Sequence, residues 1–537
     1  MPYTHSHWLP DTSAPVHEST IGSVLAAAAA DVPDATALVS WLPQHDQRRA
    51  WTYAQLQRDA QRTARALLTR FAPGERIAVW AHNIPEWLLL EFGAALAGLV
   101  LVTVNPGYRP RELAYVLQQS RAAGLFHVRE VRGNPMTQAV AQVRSQLPGL
   151  REVIAIEQFE EFLARAPAAG ALPEVKPGDA AQIQYTSGTT GFPKGALLHH
   201  RGITNNARLV MQRFQCRPGD VFAHAMPFFH TGGCVCAALG SIQARATHGF
   251  LPGFDAGHLL ELVERERATH VFGVPTMLLA MMAHPGLATR NLSSLRASIS
   301  GGASVPAELV REIEAKLGLK FSIIFGQTES SPVVTMTRLD DTPEDKAATI
   351  GQPLPQTEVK IVDPASGEIL PVGQTGELCT RGYLVMHGYN DNPQATAAAI
   401  DADGWLHTGD LASMDARGYF RIRGRLKEMV IRGGENLFPV EIENVLHEHA
   451  EVGDVAVVGV PDERMGEELA AFVRRAAGSA VTEETLRTHV RTQLAAQKTP
   501  RYWIFVDEFP LTGSGKVQKF VLRERWERGE FAPGRNP

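Results

Sequence analysis

The chain has 537 residues, with 52 Lys and Arg against 57 Asp and Glu, for a net charge of −5. Hydrophobic residues make up 44% and charged residues 20%, the balance of an ordinary folded protein, which excludes a disordered or collagen-like chain. A mildly acidic chain without a long basic run is also a poor general nucleic-acid binder.

Length alone allows roughly three or four average domains. The start, Met1-Pro2-Tyr3-Thr4-His5, lacks the basic and apolar run of a secretory signal, so a cytoplasmic location is expected. The most apolar stretch, 87–104, contains Glu91 and reads as a buried helix passing into a strand, not as a membrane span. The run Gln182-Ile183-Gln184-Tyr185 reads as a strand entering a Gly/Thr-rich loop. Cys216, Cys234, Cys236 and Cys379 are too few for a disulfide framework. Cys234 and Cys236 have no second Cys or His pair at zinc-ligand spacing and read as packed thiols.

Residues 305–317 predict a helix, with Ser304 as its cap, Pro306 in its first turn and Gly318 at its end. Leu309, Ile313 and Leu317 give that helix one apolar face. Toward the C-terminus a smaller α/β unit is expected. Strands are predicted at 429–431, 455–460 and 502–506, and helices at 439–449 and 482–494. Residues 432–436 read as a turn, and the polar tail from Arg525 is expected to fray. Strand and helix patterns alternate throughout, which argues for α/β layering.

The strongest motif is Tyr185-Thr186-Ser187-Gly188-Thr189-Thr190-Gly191-Phe192-Pro193-Lys194-Gly195, in which seven of eleven residues are Ser, Thr or Gly. Glycines let backbone approach an anion, hydroxyls and amides donate to phosphate oxygens, and Lys194 adds a positive charge. A Walker-type loop is excluded, because Pro193 stands before Lys194 where that loop needs Gly.

This loop closely resembles the phosphate loop of the adenylate-forming superfamily, which holds acyl-CoA synthetases, adenylation domains and firefly-type luciferases. Six further motifs follow in that family's order: Pro227-Phe228-Phe229-His230, Ser300-Gly301-Gly302-Ala303, Phe325-Gly326-Gln327-Thr328-Glu329, His407-Thr408-Gly409-Asp410, Gly424-Arg425-Leu426-Lys427-Glu428 and Gly513-Ser514-Gly515-Lys516. The resemblance spans about residues 20–525 and implies a two-step ligation. A carboxylate attacks the α-phosphate of ATP, and the thiol of coenzyme A then attacks the acyl-adenylate. It also implies an α/β fold with a large N-terminal domain, 1–424, of two α/β sheet lobes plus a distorted β-barrel. A hinge at 425–427 and a small mobile C-terminal α+β domain, 428–537, would follow.

Carried over residue by residue, Thr186, Ser187, Gly188, Thr189, Thr190, Gly191 and Lys194 would hold the phosphates. Glu329, with Thr186, would hold Mg²⁺. Gly301, Gly302 and Ala303 would wall the adenine beside Phe325, Gly326, Gln327 and Thr328. Asp410 would accept the ribose hydroxyls, and Arg425 would contact ribose or phosphate. Lys516 would stabilise charge at the α-phosphate, with Thr328 and Glu329 beside the reacting groups. Lys427 would be the hinge, Gly433 and Gly434 the passage for the pantetheine arm, and His230 a lining residue between acyl and thiol sites.

The stretch from Phe325 to Val334, with Asp341 to Lys346 and Ile350-Gly351, looks most like the medium-chain fatty-acyl-CoA ligases. The candidate acyl lining (His230, Thr231, Gly232, Gly233, Val274, Ser330, Val333) is small and mostly uncharged, which suits an apolar tail. An aryl acid, or loading of a separate carrier protein, are the alternatives. A luciferase-like oxidation would need a special substrate. A catalytically dead relative would have lost motif residues, yet Thr328, Glu329, Asp410, Arg425 and Lys516 are all present. The partners implied are a small carboxylic acid, ATP and CoA, with no nucleic acid and no membrane span; a homodimer is compatible with this reading.

Overall fold

The most apolar stretch of the sequence forms a helix and then a strand in the largest core. In this computed structural model, which describes residues 3–186, 193–302, 305, 307–433, 435–511 and 517–531, Pro85 opens the helix Pro85–Leu96. A proline costs nothing there, because its missing N–H would have had no helical partner. Gly98 takes φ +66, which reverses the chain after the helix. The strand Val100–Val104 follows, buried at every residue. Uniform burial explains its continuous apolar run: covered on both faces, it has no side that must be polar.

That strand sits in a seven-stranded sheet. Its order is Gly388–Tyr389, Lys194–His199, Ala180–Thr186, Val100–Val104, Arg76–Trp80, Ala122–His127 and Glu152–Ala155. The last five strands run parallel, and Lys194–His199 returns antiparallel against Ala180–Thr186. Trp80, Trp87, Phe92 and Phe126 are fully buried in this lobe, and each such side chain contributes roughly 1.5–3 kcal/mol by leaving water.

A nine-stranded sheet forms the second lobe. Its parallel strands include Lys320–Gly326, Ala297–Gly301, His270–Phe272, Val221–His224 and Thr247–Phe250, in that spatial order. A five-stranded sheet joins His7–Trp8, Thr357–Val362, Gly376–Gly382, Leu406–Met414 and Phe420–Arg425. The C-terminal sheet pairs Glu435–Leu437, Val430–Arg432, Gly466–Arg475 and Val452–Asp462, with Tyr502–Phe505 added parallel to Gly466–Arg475. The chain divides into two compact units. One holds 8–359 and 379–407; the other holds 1–7, 360–378 and 408–537. Among the described residues, no helix is long and apolar enough to cross a membrane.

The predicted elements recur with shifted ends. The helix expected at 305–317 is Ala307–Leu317; Ser304 and Pro306 lie outside the described residues. Leu309, Ile313 and Leu317 are buried as its spacing requires, and Gly318 follows at φ +63. The turn expected at 432–436 is tighter. Arg432 pairs with Glu435 and Ile431 with Asn436, so Glu435 and Asn436 belong to a strand. The frayed tail expected from Arg525 is corrected over residues 525–531, and residues 532–537 lie outside the described residues. Helix Lys519–Glu527 runs through that position, because Trp526 packs on Tyr502 and Phe531 on Phe472. The four cysteines are free and buried, as packed thiols should be.

Candidate active site

The Thr/Gly-rich motif begins where the strand Ala180–Thr186 ends, at the carboxyl edge of the parallel strands. Ligands of α/β sheets collect at that edge. Thr186 pairs with Lys194 across the two strands of this hairpin, and its hydroxyl donates to the Lys194 carbonyl at 3.4 Å. Gly195 has no room for a side chain, since a Cβ would lie 2.8 Å from Ile183 Cγ2. Ser187, Gly188, Thr189, Thr190 and Gly191 lie outside the described residues.

The base of the hairpin is held by the helix Pro110–Gln119. The Tyr115 hydroxyl donates to the Pro193 carbonyl at 3.1 Å, and the Tyr185 hydroxyl donates to Gln119 Oε1 at 2.6 Å. Burial pushes the Tyr185 phenol well above its ordinary pKa, so it remains a donor.

The Gly and Glu motifs occupy the matching edge of the other large sheet. Strands Ala297–Gly301 and Lys320–Gly326 lie side by side, with Gly301 opposite Ile324. A Cβ on Gly301 would lie 2.7 Å from the Ile324 carbonyl oxygen, so only glycine fits. Gly302 follows at φ +85, while Ala303 lies outside the described residues. Beyond Phe325, Gly326 meets the same limit more severely: its Cβ would stand 1.9 Å from the Pro332 carbonyl oxygen. Gln327 N–H donates to that carbonyl at 3.0 Å, which sets the 3-10 turn Thr328–Ser330 in place.

That turn packs against the strand Lys194–His199, so the structure brings Glu329 and the phosphate hairpin together. Glu329 is 8% exposed, and its Oε1 accepts the Tyr389 hydroxyl at 2.7 Å. Lys194 Nζ lies 4.9 Å from the centroid of the same Tyr389 ring. Burial first, and then the Glu329 charge, raise the Tyr389 phenol far above its ordinary pKa, which keeps it a donor. Glu329 and Thr186 offer a carboxylate and a hydroxyl, the hard oxygen donors that suit Mg²⁺.

His230 follows the strand Val221–His224, also at the carboxyl edge of its sheet. It is exposed, not packed in the core. Its Nδ1 accepts the Gly232 N–H at 3.1 Å, so a neutral ring carries its proton on Nε2. The chain then enters a π-helical segment, Gly232–Leu239, buried throughout. Gly233 is forced there, because a Cβ would lie 2.2 Å from the Pro227 carbonyl oxygen.

In the other unit, Asp410 and Arg425 are directly opposed on neighbouring antiparallel strands. Arg425 Nε lies 3.0 Å from Asp410 Oδ1, and Asp410 is only 4% exposed. Fifteen residues apart in sequence, the two nominated nucleotide contacts form one ion pair. Lys427 is exposed in the 3-10 turn Leu426–Glu428. Arg432 makes a two-pronged contact with Glu468 at 2.7 and 3.0 Å, and Gly433 turns the hairpin at φ +58. Gly434 and Lys516 lie outside the described residues.

Sequence reasoning did not nominate Tyr389 or Gln119. Neither stands in a motif of charged or small residues, and their roles appear only when distant segments meet. One further cluster, Cys216, Asp220 and His270, has ligand atoms within 4.8 Å of one another. Arg296 already neutralises Asp220, which also accepts the Arg217 N–H at 2.8 Å, so the cluster reads as structural.

The chain is similar to known proteins along most of its length. The AMP-binding enzyme family matches residues 25–390, and the AMP-binding enzyme C-terminal domain matches 441–516. The putative acyl-CoA synthetase YngI of Bacillus subtilis (strain 168) is 41% identical, over 94% of this chain and 97% of its own length. The mitochondrial medium-chain acyl-CoA ligase ACSF2 of Rattus norvegicus is 36% identical, over 96% of this chain and 89% of its own. The crystal structure of ATP-bound MatB from Rhodopseudomonas palustris superposes with a TM-score of 0.87 at 31% identity, covering 95% of this chain and 99% of that one. The chain belongs to the AMP-binding enzyme family and is one of its AMP-forming acyl-CoA synthetases.

Proposed function

We propose that the protein joins a fatty acid of medium chain length to coenzyme A at the expense of ATP. The acid's carboxylate attacks the α-phosphate of ATP, giving an acyl-adenylate and pyrophosphate. The thiol of coenzyme A then attacks the acyl carbonyl and displaces AMP. Both steps depend on holding groups in line and on meeting charge as it develops.

The observation that carries this reading is the meeting of Lys194 and Glu329 on one side chain, Tyr389. A fixed cation and a fixed carboxylate at the mouth of a glycine-rich hairpin suit a polyphosphate and its metal. Glu329 and Thr186 would hold Mg²⁺, which when bound would neutralise phosphate charge. Gly301 and Gly302 leave a flat wall for adenine. Asp410 accepts the ribose hydroxyls, and Arg425 holds that carboxylate in place while reaching ribose or phosphate. Lys516 supplies positive charge at the α-phosphate in the first step.

We assign 1–424 to the catalytic domain and 428–537 to a small mobile domain that turns at 425–427. Turning about Lys427 exchanges Lys516 for the Arg432-Gly433-Gly434 loop, whose glycines admit the narrow pantetheine arm.

Medium chain length is supported by the likeness to the rat ligase, named for that class. It is also supported by the uncharged candidate acyl lining, of which Thr231, Gly232, Gly233, Ser330 and Val333 are buried. The test is pyrophosphate release with fatty acids of four to sixteen carbons and with aryl acids, each with and without CoA. A maximum at intermediate chain length, with thioester formed only when CoA is present, is expected. A maximum on aryl acids, or turnover indifferent to CoA, overturns the proposal. In the same assay Lys516→Ala should abolish adenylate formation and spare thioester formation from supplied acyl-adenylate.

A further inference from the structure

One short segment, 386–390, ties together the two sheets that carry the phosphate hairpin and the Glu329 turn. On the Glu329 side, Met386 N–H donates to the Glu329 carbonyl at 2.9 Å, and the Tyr389 hydroxyl donates to its carboxylate at 2.7 Å. On the hairpin side, Gly388 and Tyr389 pair antiparallel with Leu197 and Ala196. Asn390 N–H donates to the Gly195 carbonyl at 2.7 Å, one residue beyond Lys194. The Lys194 ammonium lies 4.9 Å from the Tyr389 ring centroid, within cation–π range.

The segment is itself held in register. Tyr389 N–H donates to Thr396 Oγ1 at 2.9 Å, and Asn390 Nδ2 donates to the Gln119 carbonyl at 3.0 Å. Gly388 stands at φ +144, with no room for a Cβ beside Thr396. Backbone and side chain therefore hold Glu329 at two points and the strand of Lys194 at three. The Tyr389 hydroxyl fixes Oε1, so Oε2 is the carboxylate oxygen left to offer a cation.

We propose that the segment 386–390 is a strap that sets the spacing between the phosphate-loop lysine and the metal-holding glutamate, with Tyr389 as its positioning residue. The hydroxyl orients Glu329 and the ring face steadies Lys194, so one side chain couples metal binding to phosphate binding. This rests on the reading of Glu329 as the Mg²⁺ ligand.

The test uses the full chain and reads binding directly. Mn²⁺ affinity is measured by electron paramagnetic resonance with a non-hydrolysable ATP analogue present. The affinity of that analogue without metal is measured by calorimetry. Tyr389→Phe keeps the ring and removes the hydroxyl. It should weaken Mn²⁺ by roughly tenfold or more, as loss of a partner that orients a metal ligand does, and leave metal-free analogue binding within about twofold. Tyr389→Leu removes both contacts and should also weaken the analogue without metal. Glu329→Gln should lose Mn²⁺ binding, and adding Tyr389→Phe to it should cost nothing further. Wild-type Mn²⁺ affinity in Tyr389→Phe, beside a loss in Glu329→Gln, overturns the strap. Wild-type affinity in Glu329→Gln overturns the metal assignment itself. Thioester formation from supplied acyl-adenylate should be unchanged in Tyr389→Phe; an equal fall in both half-reactions also overturns the proposal.

Discussion

Glu91 is a carboxyl buried in the largest core, and replacing it with glutamine should raise stability in a pH-dependent way. The residue lies on the helix Pro85–Leu96 and is 1% exposed. Its Oε1 accepts from Gln182 Nε2 at 2.7 Å, while Oε2 has no hydrogen-bond partner. Burial pushes its pKa up from 4.5 to about 8, against the smaller lowering by Gln182. The folded protein therefore binds a proton at Glu91 between those two values, and the unfolded chain does not. Wherever the folded state binds more protons, stability falls as pH rises. The Glu91 penalty thus grows from about pH 4.5 and levels off above about pH 8, where a shift of this size corresponds to roughly 5 kcal/mol.

Glu91→Gln removes the titration and keeps an acceptor for Gln182. The buried histidines act in the opposite sense. Burial lowers His224 to about 3 and His270 to about 4, so they add stability as pH rises toward their unfolded value. They titrate alike in both proteins and cancel in the difference. Urea unfolding of wild type and variant from about pH 5 to about pH 9 gives that difference. It should be small at the acid end and reach several kcal/mol at the alkaline end. Curves that stay parallel across the range would refute the assignment of a neutral, buried carboxyl. The network continues from Gln182 Oε1 to Gln184 Nε2 at 2.7 Å, and from Gln184 Nε2 to Cys234 Sγ at 3.1 Å.

Gly326→Ala places a methyl group 1.9 Å from the Pro332 carbonyl oxygen. Overpacking of this kind costs roughly 1–3 kcal/mol and must displace the turn that carries Glu329. ATP–pyrophosphate exchange should fall at least about tenfold, the equivalent of about 1.4 kcal/mol, while Gly149→Ala, with nothing within 4 Å, should spare exchange. Lys519 Nζ lies 2.8 Å from Glu443 and 2.9 Å from Glu428. Burial alone would lower its pKa, but the two carboxylates hold it above the ordinary value. Lys519→Met leaves those carboxylates facing each other and should destabilise the C-terminal unit by about 3 kcal/mol, read by urea unfolding. Lys519→Arg should restore most of the loss, and a change below about 0.5 kcal/mol in the Met variant would contradict the reasoning.

The local elements were legible because their causes are local. The apolar run at 87–104 had to be buried, and the strand before the phosphate loop had to be followed by glycines if backbone was to reach an anion. The spacing of Leu309, Ile313 and Leu317 had to make one helical face. Where a prediction missed, a distant contact decided. The tail from Arg525 is polar in sequence, yet helix Lys519–Glu527 holds because Trp526 and Phe531 find aromatic partners on other strands.

The motif residues named the chemistry, since phosphate, metal and ribose each demand particular side chains. Their meeting was beyond the sequence. Thr186 and Glu329 are more than a hundred residues apart, and no periodicity relates either to Tyr389. Sheet topology places both motifs at carboxyl edges, and an edge strand at Gly388–Tyr389 then joins them. The same holds for Asp410 and Arg425, whose ion pair follows from strand register. Residue types and short spacings are properties of the chain and can be read from it. Register between strands far apart in sequence depends on how all the elements pack, so only the tertiary structure decided it.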